Sequence, residues 1–166
     1  LIWNMGISET HKNTNVKNIC SDIGFSWQHD VKILENGNML MLDNGNLSKV
    51  LRNTPNQESR LLEVEVVNDN SCIIHWEYNI NDSLYAYAMG SVQKINNENY
   101  LFSTIAGEGL GQVLEVTEDK DIVWHASFYA NSSENKEYNI YRAYSIPGIF
   151  PNAFSIISKS LTTYKA

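Results

Sequence analysis

Two side chains that can act on an anion, an imidazole and a guanidinium, occupy matching places in a repeated sequence pattern. The stretch around Val31 matches the stretch around Val92, 61 positions later, and this places His29 opposite Gly90. A third, partial copy places Arg142 at the same position. A guanidinium presents a rigid fork of donors to an anionic group, and an imidazole can act as a base or a nucleophile. The pattern predicts a site for an anionic group, provided that the fold turns these positions toward one another.

Three further basic residues become candidates for the same site through the resemblance to a known family that is described below. Arg60 opens a predicted strand, where it either reaches the site or holds a loop by hydrogen bonds. Lys49 and Arg52 lie in the loop before that strand. Asp30 follows His29 but points to the opposite face of a strand, so we expect it to accept hydrogen bonds at a strand end or turn rather than pair with the histidine.

The other three histidines are poorly placed for such a site. His11 lies in a polar loop, and His75 and His125 each flank a tryptophan of a predicted outer strand, where histidines are usually structural or exposed. No spacing among histidines, cysteines and acidic residues indicates a metal site, and no cofactor is expected. The Gly-rich stretch at 108–112 lacks the Lys-Ser/Thr pair and the helix of a phosphate loop.

The chain has 166 residues and a formal net charge of −7 at pH 7, which suits one domain with a buried core. The acidic balance argues against nucleic acid as a partner, and no apolar run is long enough for a membrane span. The first residues have no basic start and no cleavage site, so we predict no signal peptide there. Because the chain does not begin with Met, we expect it to be cut from something longer or processed. Cys20 and Cys72 form no metal-binding box, and either pair in an oxidising compartment or remain reduced.

Two units of the sequence each contain four candidate strands in the same order. In each unit an Asn-centred turn joins the first two strands, the third carries Leu-Glu-Val, and the fourth ends on a tryptophan. The two tryptophans, Trp76 and Trp124, are 48 positions apart. Four strands in a unit of about 40–50 residues are typical of a β-propeller blade. We predict an all-β fold of this kind, and a β-sandwich with similar hairpins is the alternative.

The predicted units span 25–80 and 86–129, with a blade tail at 1–6 and a partial blade at 141–166. Propellers have about 4–8 blades, and an incomplete arc exposes apolar sheet faces. We therefore expect the rest of a propeller or a partner chain to cover those faces.

The ordered motifs resemble the C-terminal half of bacterial arylsulfate sulfotransferases. The resemblance covers most of 25–155 and is carried by QHDVKILENGNMLMLDNGN, SRLLEVEV, IIHWEY, GSVQKINNENYLFS, GQVLEVTEDKDIVW and YRAYSIPGIFPNAF. It implies a six-bladed propeller exported from the cytoplasm. It also implies transfer of a sulfuryl group from a phenolic sulfate ester to a phenol through a sulfated histidine, without a nucleotide donor. The active site implied lies at the central channel, lined by histidines, an asparagine and an arginine.

This resemblance assigns expected roles to individual residues. His29 looks like a family active-site histidine, and the alternative is a channel-lining histidine bonded to backbone carbonyls. Arg142 and Arg60 are expected to stabilise the sulfuryl oxygens. Asn44 belongs to an Asp-Asn-Gly motif of the family that also suits a turn. The residues expected to contact the substrate are Asn44 and the aromatic Trp27, Tyr141 and Tyr144.

The sequence departs from the family pattern where a further histidine is expected, because Tyr85–Gln93 contains none. Either His29 is the nucleophile, or the nucleophile lies in another part of the protein, or the activity has been lost. The predicted function is that of an arylsulfate sulfotransferase acting on phenolic sulfate esters and phenols. The alternative is a secreted, periplasmic or cell-surface propeller that binds or adheres without catalysis, or that belongs to a surface complex.

Overall fold

The computed structural model of the chain describes residues 3–7, 16–68, 71–95, 98–106, 110–128, 140–146 and 148. Within these ranges the regular structure is ten strands, one four-residue α-helix, α1 (Ser48–Leu51), and two short 3-10 turns, Ser21–Ile23 and Asp82–Leu84. The prediction of an all-β chain is confirmed. No helix in the described part of the chain is long and apolar enough to cross a bilayer.

The strands form one small sheet and two larger ones. Two short strands, β1 (Trp3–Met5) and β2 (Lys17–Ile19), pair in parallel with each other. Each larger sheet is an antiparallel meander of four strands in which chain neighbours are also sheet neighbours. The first consists of β3 (His29–Ile33), β4 (Met39–Asp43), β5 (Arg60–Val67) and β6 (Ser71–Asn79). The second consists of β7 (Ser91–Lys94), β8 (Tyr100–Ala106), β9 (Leu110–Val116) and β10 (Ile122–Ser127).

The first hairpins of the two larger sheets close in the same way, as their sequence similarity predicts. In loop 34–38 the first amide donates to the last carbonyl at 2.8 Å, and the corresponding bond between positions 95 and 99 is 2.9 Å. The fourth loop residue has positive φ in both, with +88° at Gly37 and +65° at Glu98. This conformation is easy for glycine and unfavourable for glutamate, so the second copy keeps the turn without its most suitable residue.

The side chains of β4 alternate between two apolar clusters. Leu40 and Leu42 pack into the layer between the two larger sheets, whereas Met39 and Met41 pack toward the segment that contains β2. All four are at most 8% exposed. A strand buried on both faces explains the continuous apolar sequence of β4.

Trp76 fills the layer between the two larger sheets. Its ring stacks on Tyr100 with centroids 3.7 Å apart, and its Nε1 donates to the carbonyl of Glu118 at 2.8 Å. The Tyr100 hydroxyl donates to the buried carboxylate of Glu63 at 2.9 Å. Burial and this hydrogen bond raise the pKa of Tyr100 to about 12. Trp124, at the matching place of the second unit, is 49% exposed against 8% for Trp76.

A disulfide joins Cys20, at the end of β2, to Cys72 on β6, with their Cα atoms 5.2 Å apart. The sequence left this pairing open. The bond links residues 52 positions apart, so it lowers the conformational entropy of the unfolded chain. In the folded state it ties the segment after β2 to β6, the outer strand of the first larger sheet.

The two matched tryptophans give a test of this packing. Trp76→Ala should lower the free energy of unfolding by about 3–5 kcal/mol, because it leaves a cavity beside Tyr100. Trp124→Ala is the control and should cost about 1 kcal/mol or less. Urea unfolding of both variants measures the difference, and equal losses would contradict the exposed position of Trp124.

Candidate functional site

The first strands of the two larger sheets lie side by side, joined through side chains. The backbone amide of Val92 on β7 donates to Asp30 Oδ2 at 2.9 Å, and Lys32 Nζ donates to the Val92 carbonyl at 2.6 Å. Asp30 and Lys32 flank Val31, so Val31 lies level with Val92. This is the offset of 61 that the sequence repeat predicts.

Segment 141–146 continues this arrangement on the other side of β7. The Ser91 hydroxyl bonds to both the amide and the carbonyl of Ala143 at 2.9 Å, and the Gln93 side chain bonds to the amide and carbonyl of Ser145 at 2.8 and 3.0 Å. Both contacts join residues 52 positions apart, as the match of Arg142 with Gly90 requires. Besides one backbone bond, from the Gly90 amide to the Tyr141 carbonyl at 3.1 Å, side-chain groups here take the place of a backbone ladder.

Gly90 cannot carry a side chain in this arrangement. Its φ is +96°, and an added Cβ would lie 2.3 Å from Leu42 Cδ2 and 2.6 Å from the Ser103 carbonyl oxygen. The position that matches His29 in the second unit is therefore restricted to glycine. This gives a physical reason why the second unit has no histidine at the matching place.

The ring of His29 is oriented through Nδ1. This nitrogen lies 3.0 Å from the Trp27 carbonyl oxygen and 2.7 Å from Asn44 Oδ1. A backbone carbonyl only accepts hydrogen bonds, so Nδ1 carries the proton. In the neutral ring the lone pair is then on Nε2, which has no hydrogen-bond partner among the described residues.

The amide of Asn44 is fully buried and links the two units. Its Nδ2 donates to the carbonyls of Ala86 and Met89 at 2.6 and 3.1 Å, and its Oδ1 accepts from His29. The Ser59 hydroxyl supports the same place, since it donates to the Asn44 carbonyl at 2.8 Å and accepts from the Ala86 amide at 3.0 Å. The sequence singled out Asn44 for substrate contact, and the structure places it behind the histidine.

Asp43 holds the turn that presents Asn44. Its Oδ1 accepts from the amides of Ser26 and Gly45, both at 2.9 Å, and its Oδ2 accepts from Arg52 at 2.7 Å and Arg60 at 2.8 Å. Gly45 has φ +68°, and an added Cβ would lie 1.8 Å from the backbone oxygen of Glu58. The expected turn at 43–45 is therefore present, with glycine required at its end.

Arg60 is buried in this ion-pair network rather than open to a ligand. Its Nε contacts Asp43, its Nη1 contacts Glu77 at 2.6 Å, and its Nη2 donates to the Ile23 carbonyl at 2.6 Å. Of the two outcomes expected for Arg60, the structure shows the one in which it holds loops by hydrogen bonds. Lys49 is exposed, and Arg52 belongs to the same network.

Arg142 is exposed and lies beside Asp30, the residue that follows His29. Its Nη1 is 3.6 Å from Oδ1 of Asp30, the residue after His29, and 3.3 Å from the Tyr144 hydroxyl. Its guanidinium carbon lies 5.0 Å from the ring centroid of Tyr141. The two tyrosines are 55% and 47% exposed, so all three side chains of this segment are open to a ligand.

Asp30 is the carboxylate at which β3, β7 and the segment 141–146 meet. Asp30 accepts hydrogen bonds from the Val92 amide, from Lys32 and from the Tyr144 hydroxyl, the last at 2.9 Å. Asp30 lies on β3 and has a φ of +55°. Burial would raise the pKa of Asp30, but the hydrogen bonds from Lys32, Val92 and Tyr144 outweigh it and hold that pKa below its ordinary value.

Trp27 lies beside the histidine in an unusual conformation. Its φ is +58° and its side chain is 65% exposed, while its carbonyl holds His29 Nδ1. A cleft of about 430 Å³ adjoins it, lined mostly by apolar side chains: Met5, Ile7, Phe25, Ser26, Gln28 and Leu47 with Trp27. An aromatic ring and an apolar cleft suit a phenyl group.

The other described histidines are outside this arrangement. His75 Nε2 bonds to Glu65 Oε2 at 2.6 Å and His125 Nε2 bonds to Gln112 Oε1 at 2.7 Å, both on outer strands. His11 lies outside the described residues. Among the described residues no group of three or more His, Cys, Asp or Glu side chains is assembled to hold a metal ion.

The hydrogen bonds that Asp30 accepts should make a pH-dependent contribution to the stability of the protein. Asp30→Asn should lower the free energy of unfolding at pH 7 by about 1.5–3 kcal/mol, because it removes the charge from hydrogen bonds to the carboxylate. A lowered folded-state pKa means that this contribution is present above the unfolded pKa of about 4 and is lost as pH falls below it. Urea unfolding of both proteins from pH 7 to pH 3 measures it, and a difference that is constant with pH would contradict the charged junction.

A comparison with known protein families identifies the family of this chain. Residues 11–129 match the family model described as arylsulfotransferase (ASST). No curated protein matches the chain significantly. The family match covers more than half of the chain and contains His29, Asn44 and the whole of both four-stranded sheets. This chain belongs to the arylsulfotransferase family.

Proposed function

We propose that this protein transfers a sulfuryl group from a phenolic sulfate ester to a phenol, with His29 as the carrier of the group. One observation carries the proposal: the Trp27 carbonyl and Asn44 Oδ1 hold the proton on Nδ1, so that the lone pair of Nε2 is available for attack. Family membership supports arylsulfotransferase chemistry in general.

The transfer proceeds in two balanced steps. In the first, the lone pair of His29 Nε2 attacks the sulfur of the aryl sulfate, the new N–S bond forms, and the S–O bond to the ring breaks with its electron pair leaving on the phenolate. In the second, the oxygen of an acceptor phenol attacks the same sulfur, the N–S bond breaks, and the phenol proton passes to solvent. The ring is cationic while it carries the group, and the Nδ1 hydrogen bonds stabilise that charge.

Arg142 is proposed to bind the sulfuryl oxygens, because it is the exposed guanidinium on the segment beside β7. Tyr141, Tyr144 and Trp27 are proposed to contact the aromatic rings of donor and acceptor. For Arg60 we propose a supporting role through Asp43, since its three guanidinium nitrogens are engaged.

We propose that the two larger sheets are blades of one propeller, spanning 25–80 and 86–129, with 141–166 belonging to the next blade. The two first strands β3 and β7 and the segment 141–146 lie side by side at offsets of 61 and 52, which supports this, because innermost strands meet in this way around a channel. The outer face of the second sheet bears Leu101, Val113 and the exposed Trp124. A following blade or a partner chain is proposed to cover it.

An exported location, in the periplasm, at the cell surface or outside the cell, is proposed for the protein. The disulfide between Cys20 and Cys72 supports it, because such bonds persist in oxidising compartments and are rare in the cytosol. Family membership supports the same location.

A binding or adhesion module without catalysis is the second candidate. Two observations favour it. The range Tyr85–Gln93 contains no histidine, and Gly90 within it is restricted to glycine. Arg142 already lies 3.6 Å from the carboxylate of Asp30, which competes with a sulfuryl group for the guanidinium. This module would bind aryl sulfates or a partner without cleaving the ester.

Transfer of the sulfuryl group to a phenol, as distinct from hydrolysis of the ester, can be measured with the full-length protein, p-nitrophenyl sulfate and phenol. Nitrophenolate release should depend on phenol and fall at least about 10³-fold in His29→Ala, because the nucleophile is lost. His75→Ala is the matched control, since His75 lies on an outer strand, and it should leave the rate unchanged.

Intact mass spectrometry without acceptor should show one added sulfuryl group in the wild type and none in His29→Ala. Release that persists in His29→Ala would remove His29 as the carrier. Binding of the nitrophenyl ester without release for any phenol would favour the non-catalytic module.

A further inference from the structure

The amide of Asn44 faces two kinds of partner whose hydrogen-bonding roles are fixed. The carbonyls of Ala86 and Met89 only accept, so both require the NH₂ group of Asn44, at 2.6 and 3.1 Å. The oxygen Oδ1 must then point the other way, toward His29 Nδ1 at 2.7 Å. An exchange of the amide oxygen and nitrogen would place a donor against Nδ1–H and leave two buried carbonyls without donors.

We propose that Asn44 is a positioning residue that fixes the tautomer and the ring orientation of His29, so that Nε2 is the nitrogen that reacts. This inference rests on the proposed role of His29 and deepens it. Asn44 acts through the histidine and does not contact the substrate. The 85–90 segment of the second unit thereby takes part in the site, because its carbonyls orient the amide.

The ring of His29 is held by two acceptors at once. A half-turn of the ring about the Cβ–Cγ bond would put Cδ2 in the place of Nδ1 and break the bonds to the Trp27 carbonyl and to Asn44 Oδ1. Loss of the Asn44 side chain leaves only the Trp27 carbonyl at 3.0 Å, whose own residue has a φ of +58°. We therefore expect a less uniform tautomer without Asn44.

The turn offers a matched control in Asn46. Its Nδ2 donates to the Tyr87 carbonyl at 2.9 Å, so Asn46 reaches the same segment of the second unit as Asn44 does. It makes no hydrogen bond to His29 among the described residues. Substitutions at 46 therefore report on the anchoring of the segment alone.

Long-range ¹H–¹⁵N spectra of histidine-labelled protein test the proposal without any substrate. In the wild type at a pH where the ring is neutral, His29 should show a protonated Nδ1 and an unprotonated Nε2, assigned by the loss of its signals in His29→Ala. Asn44→Ala should give a mixture of both tautomers, and Asn46→Ala should not. A protonated Nε2 in the neutral wild type overturns the proposal, whatever the variants do.

Asn44→Asp gives a second measurement that does not depend on the stability of the alanine variant. A carboxylate against Nδ1–H favours the imidazolium, so the pKa of His29 should rise by about 1–2 units, and Asn46→Asp should move it far less. The acid limb of the pH profile of nitrophenolate release should move up by the same amount, because Nε2 is then free only at higher pH.

Equal pKa values of His29 in the 44 and 46 aspartate variants would show that Asn44 only anchors the segment, and would overturn the proposal. The spectra are recorded without aryl sulfate, so failure of sulfuryl transfer and failure of this inference are distinguishable. If the spectra show the expected tautomer but no nitrophenolate is released, the positioning role of Asn44 stands and the proposed sulfuryl transfer does not.

Discussion

The buried carboxylate of Asp43 is the constraint on which the candidate site depends. Its two oxygens accept from the amides of Ser26 and Gly45 and from the guanidinium groups of Arg52 and Arg60. Removing one partner of a buried ion pair typically costs about 3–5 kcal/mol, because the other charge stays buried. The next residue along the turn is Asn44, which orients His29. A charge cluster within the first unit therefore determines where the ring of His29 lies, through one turn of the chain.

The second constraint is that β3, β7 and the segment 141–146 are joined mostly by side-chain hydrogen bonds rather than by a backbone ladder. Asp30, Ser91 and Gln93 supply the hydrogen-bonding groups that an adjacent strand would normally supply. Each sheet thus keeps its own four strands while its first strand meets those of its neighbours. A junction of this kind brings together side chains from different units, which a single sheet cannot do.

The repeat is the part of the structure that the sequence could predict. Matching Val31 with Val92 fixed the register of β3 and β7, because the same hairpin recurs with the same loop length. The position of His29 at the start of β3 follows from that register. The repeat matched Trp76 with Trp124 but could not predict their different burial, because within the described part of the chain only Trp76 is covered by the neighbouring sheet.

The connections between side chains and distant backbone groups could not be predicted in this way. Asn44 donates to backbone carbonyls 42 and 45 residues away. Every residue has a backbone carbonyl, so the residue types at those positions could not indicate these bonds. Asp30 was expected to accept hydrogen bonds without pairing with His29, but its positive φ and its partners on β7 and in the segment 141–146 could not be read from the sequence. The partners of Arg60 likewise come from three separate segments. Two cysteines alone did not reveal whether they were oxidised.

The bond between Cys20 and Cys72 has a consequence for the integrity of the site. His29, Asn44 and Arg60 all lie within the covalently closed stretch of chain between these two cysteines. A protease that cuts once in the exposed stretch around Pro55 would leave both cut ends attached to the same molecule. His29 and Asn44 on one side of such a cut, and Arg60 on the other, would then remain covalently linked through the disulfide.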